Sequence, residues 1–128
     1  MTKDADRTVV VVRGAARTIE YAVCLDESMP AKEFIEGLDE SSQRKLGTLF
    51  QRLADTGKIF NREQFKLVDE QIFEFKRHQV RVGCFQIGTR WLLTHGFVKK
   101  QDRWPKAELV RAHRIRVEHL ERERKRSG

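Results

Sequence analysis

Most of the groups in this sequence that can do chemistry are cations. Lys76, Arg81, Lys99 and Lys100 fall in one stretch of the chain. The planar guanidinium of Arg81 suits two parallel hydrogen bonds to a single phosphate. Glu74 and Lys76 alternate onto one face of an extended run, and Arg81 joins that face from the next run. Lys99 and Lys100 lie just beyond a third run, so the cations converge on a basic groove of the kind that holds phosphates. His95, with an ordinary pKa of about 6.5, is suited to proton transfer. Alternation places it with Trp91, Leu93 and Phe97, which also reads as a histidine packed among apolar side chains. Trp104, between Arg103 and Pro105, can stack on an unpaired base or staple the helix that follows it. Arg77 and His78 fall at a turn, where they meet solvent or distant phosphates. His113 and His119 are six positions apart on a helical run and do not share a face. Cys24 and Cys84 have neither a Cys-x-x-Cys pair nor a histidine at ligand spacing, so no metal or cofactor is expected and both thiols read as reduced and buried.

Extended runs and two helical segments must position these groups. Thr8 to Arg13 is nearly all valine, and Thr18 to Val23 alternates Ile19, Tyr21 and Val23 with more polar residues. With Gly14 to Arg17 between them, they predict a two-stranded ribbon, or one strand with an irregular extension. Ser28 as a cap and Pro30 in the first turn predict a short helix to about Gly37. Asp39 then caps a second helix, whose Leu46, Leu49, Phe50, Leu53 and Ala54 form one buried stripe before Gly57 ends it. Joined by only Gly37-Leu38-Asp39, the two helices predict an antiparallel hairpin. Ile72 to Lys76, Val80 to Phe85 and Trp91 to Phe97 predict an antiparallel meander with turns at His78-Gln79 and Ile87 to Thr89. Beyond Trp104-Pro105, Lys106 to about Lys125 predicts a terminal helix with Leu109, Val110, Ile115, Val117 and Leu120 on its apolar side. The expected fold is therefore α+β, a small antiparallel meander packed on an N-terminal helical hairpin, with a C-terminal helix. One domain spans 1–128, with 1–17 an N-terminal extension or extra strand and 120–128 a frayed basic tail.

The charge balance supports a polyanionic partner. The 128 residues carry 26 Lys+Arg and 19 Asp+Glu, a net charge of +7. Residues 1–75 hold 11 basic and 14 acidic side chains, net −3, whereas 76–128 hold 15 basic and 5 acidic, net +10. Such asymmetry marks a face that meets phosphates, or a well-solvated set of charged helices. Hydrophobic residues at 39% exclude an intrinsically disordered chain. Apolar runs such as Val9-Val10-Val11-Val12 fall far short of the roughly 20 residues that cross a bilayer. With no signal-like segment at the start, the chain reads as cytoplasmic with no membrane partner.

The ordered set Ile72-Phe-Glu-Phe-Lys76, Val80-Arg-Val82, Leu92-Leu-Thr-His-Gly-Phe-Val-Lys-Lys100 and Pro105-Lys-Ala-Glu-Leu-Val-Arg-Ala112 resembles the phage-derived, HigB-like branch of the RelE/ParE toxin superfamily. The likeness covers roughly residues 18 to 120. Its most specific part is the His-Gly-Phe-x-Lys-Lys segment followed by Pro-Lys-x-Glu. The resemblance implies a type II toxin, a metal-free endoribonuclease that cleaves messenger RNA on the ribosome. It also implies a cognate antitoxin of helix-turn-helix type. Arg81 matches the strand arginine on the scissile phosphate. Lys99 and Lys100 match a basic pair that neutralises developing charge or protonates the leaving oxygen. Lys76 matches a frequent basic residue, and Arg77, Arg103 and Trp104 complete the implied RNA contacts. The family's strand lysines and C-terminal tyrosine are missing here. Ile72 and Glu74 stand at the lysine positions, and the only tyrosine is Tyr21. His95 and Glu74 remain as candidate acid and base. That departure leaves open a ParE-like gyrase inhibitor and a non-catalytic phage-derived RNA-binding module.

Overall fold

A computed structural model describes residues 9–101 and 103–127. Thr8 of the first expected strand, the rest of 1–8 and Gly128 of the expected tail lie outside the described residues. Six strands form one mixed sheet: β1 (Val10–Arg13), β2 (Thr18–Tyr21), β3 (Phe65–Asp69), β4 (Ile72–Arg77), β5 (Val80–Ile87) and β6 (Arg90–Val98), in the order β1-β2-β6-β5-β4-β3. Three helices accompany them: α1 (Pro30–Glu36), α2 (Glu40–Thr56) and α3 (Lys106–Ser127).

The expected arrangement of a small antiparallel meander on an N-terminal helical hairpin does not hold. β4, β5 and β6 do pair antiparallel, but β3 extends them on one side. On the other side β2 joins β6 in parallel, with Ile19 opposite Trp91 and Tyr21 opposite Leu93, and β1 pairs with β2 as a ribbon. The parallel pairing follows from burial, because it brings Ile19 into the same core as Trp91 and Leu93. The helices α1 and α2 come after two strands, in the middle of the chain. They pack on the sheet rather than on each other: α1 lies on β6, and α2 on β1, β2 and β4. Gly96 explains the first contact, since a Cβ there would sit 2.1 Å from the Phe34 ring. Met29, not Ser28, precedes α1, and the Ser28 hydroxyl bonds Asp26.

Each face of the sheet carries its own core. One, under α1 and α2, joins Leu46, Leu49, Phe50 and Leu53 to Phe75, Val82, Cys84 and Trp91. Aromatic rings knit it together, with Phe50 and Phe75 edge to face at 4.8 Å and Phe65 and Trp91 at 5.3 Å. The other core joins Ala22, Cys24, Ile72, Phe85, Leu92, Phe97 and Trp104 to Ala112 and Ile115 of α3. The second face is therefore not open: α3 covers most of it. His119 anchors that helix, accepting the Val23 N–H at Nδ1 (2.9 Å) and meeting Glu123 through Nε2 (2.9 Å). The two cysteines are buried on opposite faces, with free thiols. Val110 and Val117, expected on the apolar side of α3, are 59% exposed, and His119 takes the buried position.

Between Val82 and Cys84 the β5–β6 register shifts. Two residues on β5 span three on β6, because Val82 faces Gly96 while Cys84 faces Leu93. This bulge resets the alternation of β6. Strict alternation groups His95 and Phe97 with Trp91 and Leu93. The bulge instead turns Phe97 to the second face, in the core with Trp104, and His95 stacks beside it.

Candidate functional site

The uncovered end of the second face lies beside the start of α3 and holds two adjoining depressions. One, of about 400 Å³, is lined by Lys66, Lys76, Arg81, Lys99 and Lys100, with Gln79 and Gln101. The other, of about 390 Å³, is lined by Glu74, Arg103, Trp104 and Lys106 with Leu67, Val68 and Leu109. Lys66 and Lys99 line both, so the two are continuous.

Cross-strand register assembles the groove. Lys66 stands opposite Glu74 and Glu74 opposite Gly83, while Lys76 stands opposite Arg81 and Arg81 opposite Phe97. Two cations directly opposed on a sheet face repel each other. Lys76 is partly compensated by Glu63 at 3.1 Å and Arg81 by Glu74 at 3.6 Å. Arg81 is 4% exposed, and its Nη1 donates to the carbonyls of His78 and Val80 at the β4–β5 turn. Burial lowers its pKa from the usual arginine value, opposed by Glu74 and Glu63. Lys99 is 7% exposed and makes no ion pair among the described residues. Burial, and then the neighbouring Arg81 charge, hold its ammonium below the usual lysine range. A lysine in that state gives up its proton more readily than one in water.

Trp104 organises the second depression. Its indole lies on Gly83, where a Cβ would meet Trp104 Cη2 at 2.9 Å and Thr94 Oγ1 at 2.6 Å. Only glycine leaves room there. Phe97 packs edge to face on the indole at 4.8 Å, and the indole N–H donates to Glu74 Oε1 at 2.7 Å. Glu74 is 1% exposed, and its Oε2 has no hydrogen-bond partner. Lys66 Nζ stands 4.0 Å from that oxygen.

The structure brings Lys76, Arg81, Lys99 and Lys100 to one depression, and Glu74, Arg103 and Trp104 to its neighbour. Arg77 is elsewhere, in a shallow recess with Lys45 and Arg52 of α2, because its position in β4 points to the opposite face from Lys76. His95 is sealed from solvent, with Nε2 3.0 Å from Glu108 and Nδ1 3.1 Å from Thr94 Oγ1. Burial, its largest influence, lowers its pKa to about 4, so the ring is neutral at pH 7 and links β6 to α3. Two groove cations escape the sequence reading, Lys66 and Lys106. The short run Phe65 to Asp69, with apolar residues at 65, 67 and 68 between polar stretches, is the signal that would have placed Lys66 on a strand. Among the described residues, one group has metal-ligand spacing: Asp69, Glu70 and His113, with candidate ligand atoms within 4.8 Å of one another. His113 Nε2 is 2.8 Å from Asp69 Oδ2 there. No helix among the described residues is long and apolar enough to cross a membrane.

A family model described as phage-derived protein Gp49-like (DUF891) matches residues 33–117, about two thirds of the chain. The match takes in the second half of α1, all of α2, β3 to β6, both depressions and the first half of α3. No curated protein matches the chain.

Proposed function

The chain belongs to the phage-derived Gp49-like family, and from that premise we propose that it is the toxin of a type II toxin–antitoxin pair, an endoribonuclease that cuts messenger RNA on the ribosome. The observation that carries this reading is the convergence of Lys66, Lys76, Arg81, Lys99 and Lys100 on one depression, two of them nearly buried. Five cations around one small space, facing only Glu63 and Glu74, carry more positive charge than those carboxylates offset. They suit a phosphate that gains negative charge during reaction.

In this reading Arg81, held by two backbone carbonyls, and Lys76 grip the scissile phosphate. The RNA 2′-oxygen attacks phosphorus in line and the bond to the 5′-oxygen breaks, leaving a cyclic phosphate and a 5′-hydroxyl. Lys99, with its lowered pKa, gives its proton to the leaving oxygen. The proton of the 2′-hydroxyl passes to solvent at the open side of the groove, since His95 is sealed and Glu74 lies at the floor of the neighbouring depression. Lys100 neutralises the adjacent phosphate. The cognate antitoxin, expected to be a small helix-turn-helix protein, silences the chain by covering this groove or blocking entry to the ribosome. Both partners belong to the cytoplasm.

The test is expression of the chain without a partner, with transcripts mapped by primer extension. Cuts within translated regions are expected, and Arg81→Ala and Lys99→Met abolish them in variants that remain folded. Persistent cutting by both variants overturns the assignment. DNA breaks without transcript cuts indicate gyrase poisoning instead. Salt-sensitive RNA binding with no cleavage by translating ribosomes indicates a non-catalytic RNA-binding module.

A further inference from the structure

The depression beside the phosphate groove is built differently from it. Its apolar walls come from Leu67, Val68, Leu109 and Trp104, and its floor from Glu74. Glu74 Oε2 is buried with no hydrogen-bond partner and only the Lys66 ammonium 4.0 Å away, and a buried carboxylate oxygen without a hydrogen bond is costly in a fold. Its volume of about 390 Å³ falls in the range of pockets that take small organic groups. Resting on the RNA reading above, we propose that this cleft receives the base next to the bound phosphate, and that it selects guanine.

Hydrogen-bond donors and acceptors select the base. Glu74 Oε1 takes one hydrogen bond from Trp104 and faces Arg81 Nε at 3.6 Å, while Oε2 takes none and faces the Lys66 ammonium at 4.0 Å, so hydrogen-bonding capacity remains on both oxygens. The carboxylate can therefore accept from two adjacent donors. Guanine presents two, N1–H and the 2-amino group, next to the acceptor O6. Lys66, 4.0 Å from Oε2 and a third exposed, and Lys99 stand ready to donate to O6. Adenine offers one amino donor beside a ring acceptor, and uracil one N–H between two carbonyls, so each leaves the carboxylate half used. The apolar walls cover the faces of the base. Because Lys66 and Lys99 line both depressions, base and phosphate of one nucleotide can be held together.

The test uses the full chain and five-nucleotide RNAs that carry 2′-O-methyl groups and so resist cleavage, each uridine throughout except for a central guanine, adenine or hypoxanthine. Affinity is read by fluorescence anisotropy. Guanine is expected to bind about tenfold tighter than adenine, the scale of a good base-edge contact. Hypoxanthine, guanine without its 2-amino group, loses about threefold or more, which probes Glu74 without altering the protein. Glu74→Gln keeps an acceptor for Trp104 but turns an amide donor toward the base, and the guanine-to-adenine ratio falls to near one. Equal, salt-sensitive affinity for all three RNAs, or a preference for adenine, overturns the base site and leaves the phosphate groove standing. No binding to any of them overturns both.

Discussion

Gly83→Ala is the most direct probe of how the site is held. The added methyl carbon would lie 2.6 Å from Thr94 Oγ1 and 2.9 Å from Trp104 Cη2, inside any tolerable contact distance. Thr94 is held close, with Oγ1 3.1 Å from His95 Nδ1. Trp104 is wedged against Phe97 and tied to Glu74. Overpacking of this kind costs about 1–3 kcal/mol. If the indole lifts, the Glu74 carboxylate loses its one hydrogen bond, which costs about 1–3 kcal/mol more. The stiffer unfolded chain offsets about 0.4–1 kcal/mol. The expected net loss is about 1–5.5 kcal/mol, measured by urea unfolding followed by far-UV circular dichroism. A red shift of tryptophan emission is expected as Trp104 meets water. Gly47→Ala is the control, with the same chemical change in the middle of α2 and nothing within 4 Å of the new carbon. It should stabilise by about 0.5–1 kcal/mol. A Gly83→Ala variant within about 0.5 kcal/mol of the parent would refute the packing account, and with it the fixed position of Glu74.

Three further outcomes follow from the charges. Burial holds the His95 imidazole down to about 4, against about 6.5 in an unfolded chain, so the unfolded state takes up a proton first as the pH falls. Stability from this group is full above about pH 6.5 and is lost between there and about pH 4, by about 3 kcal/mol; buried His119 shifts in the same direction. Urea midpoints at pH 7.5 and 5 test this, with His95→Gln flattening the difference, and equal midpoints in the parent would sink it. The five groove cations predict that the logarithm of RNA affinity falls against the logarithm of salt concentration with a slope of about −3.5, easing by about 0.7 in Lys100→Gln; an unchanged slope would remove Lys100 from the groove. Arg90 bridges Glu20 of β2 and Glu123 of α3, so Arg90→Ala should cost about 1 kcal/mol and speed amide exchange in the second half of α3 more than in β5.

The elements that carry the site are legible in the sequence because each is a local pattern. Alternating apolar residues marked β4, β5 and β6, and the three-four stripe from Leu46 to Ala54 marked α2 and the surface it buries. The same alternation placed Glu74, Lys76 and Arg81 on one face, and their register confirms that they meet there. What local periodicity does not contain is which strands lie side by side. The parallel pairing of β2 with β6 joins residues some seventy positions apart, and it formed because Ile19 had a core to enter. The bulge at Thr94-His95 is likewise invisible to strict alternation, since it exists only in the pairing of β6 with β5, where the register shifts between Val82 and Cys84. It sends His95 to Glu108 and α3. The sequence by itself thus marked five of the six strands, the helices and the cations Lys76, Arg81, Lys99 and Lys100, but not β3. Only the tertiary structure decided that α3 closes most of the second face, that Lys66 joins the groove, and that Glu74 lies beneath Trp104. Faces are set by neighbours along the chain, whereas clefts are set by what distant segments leave uncovered when they pack.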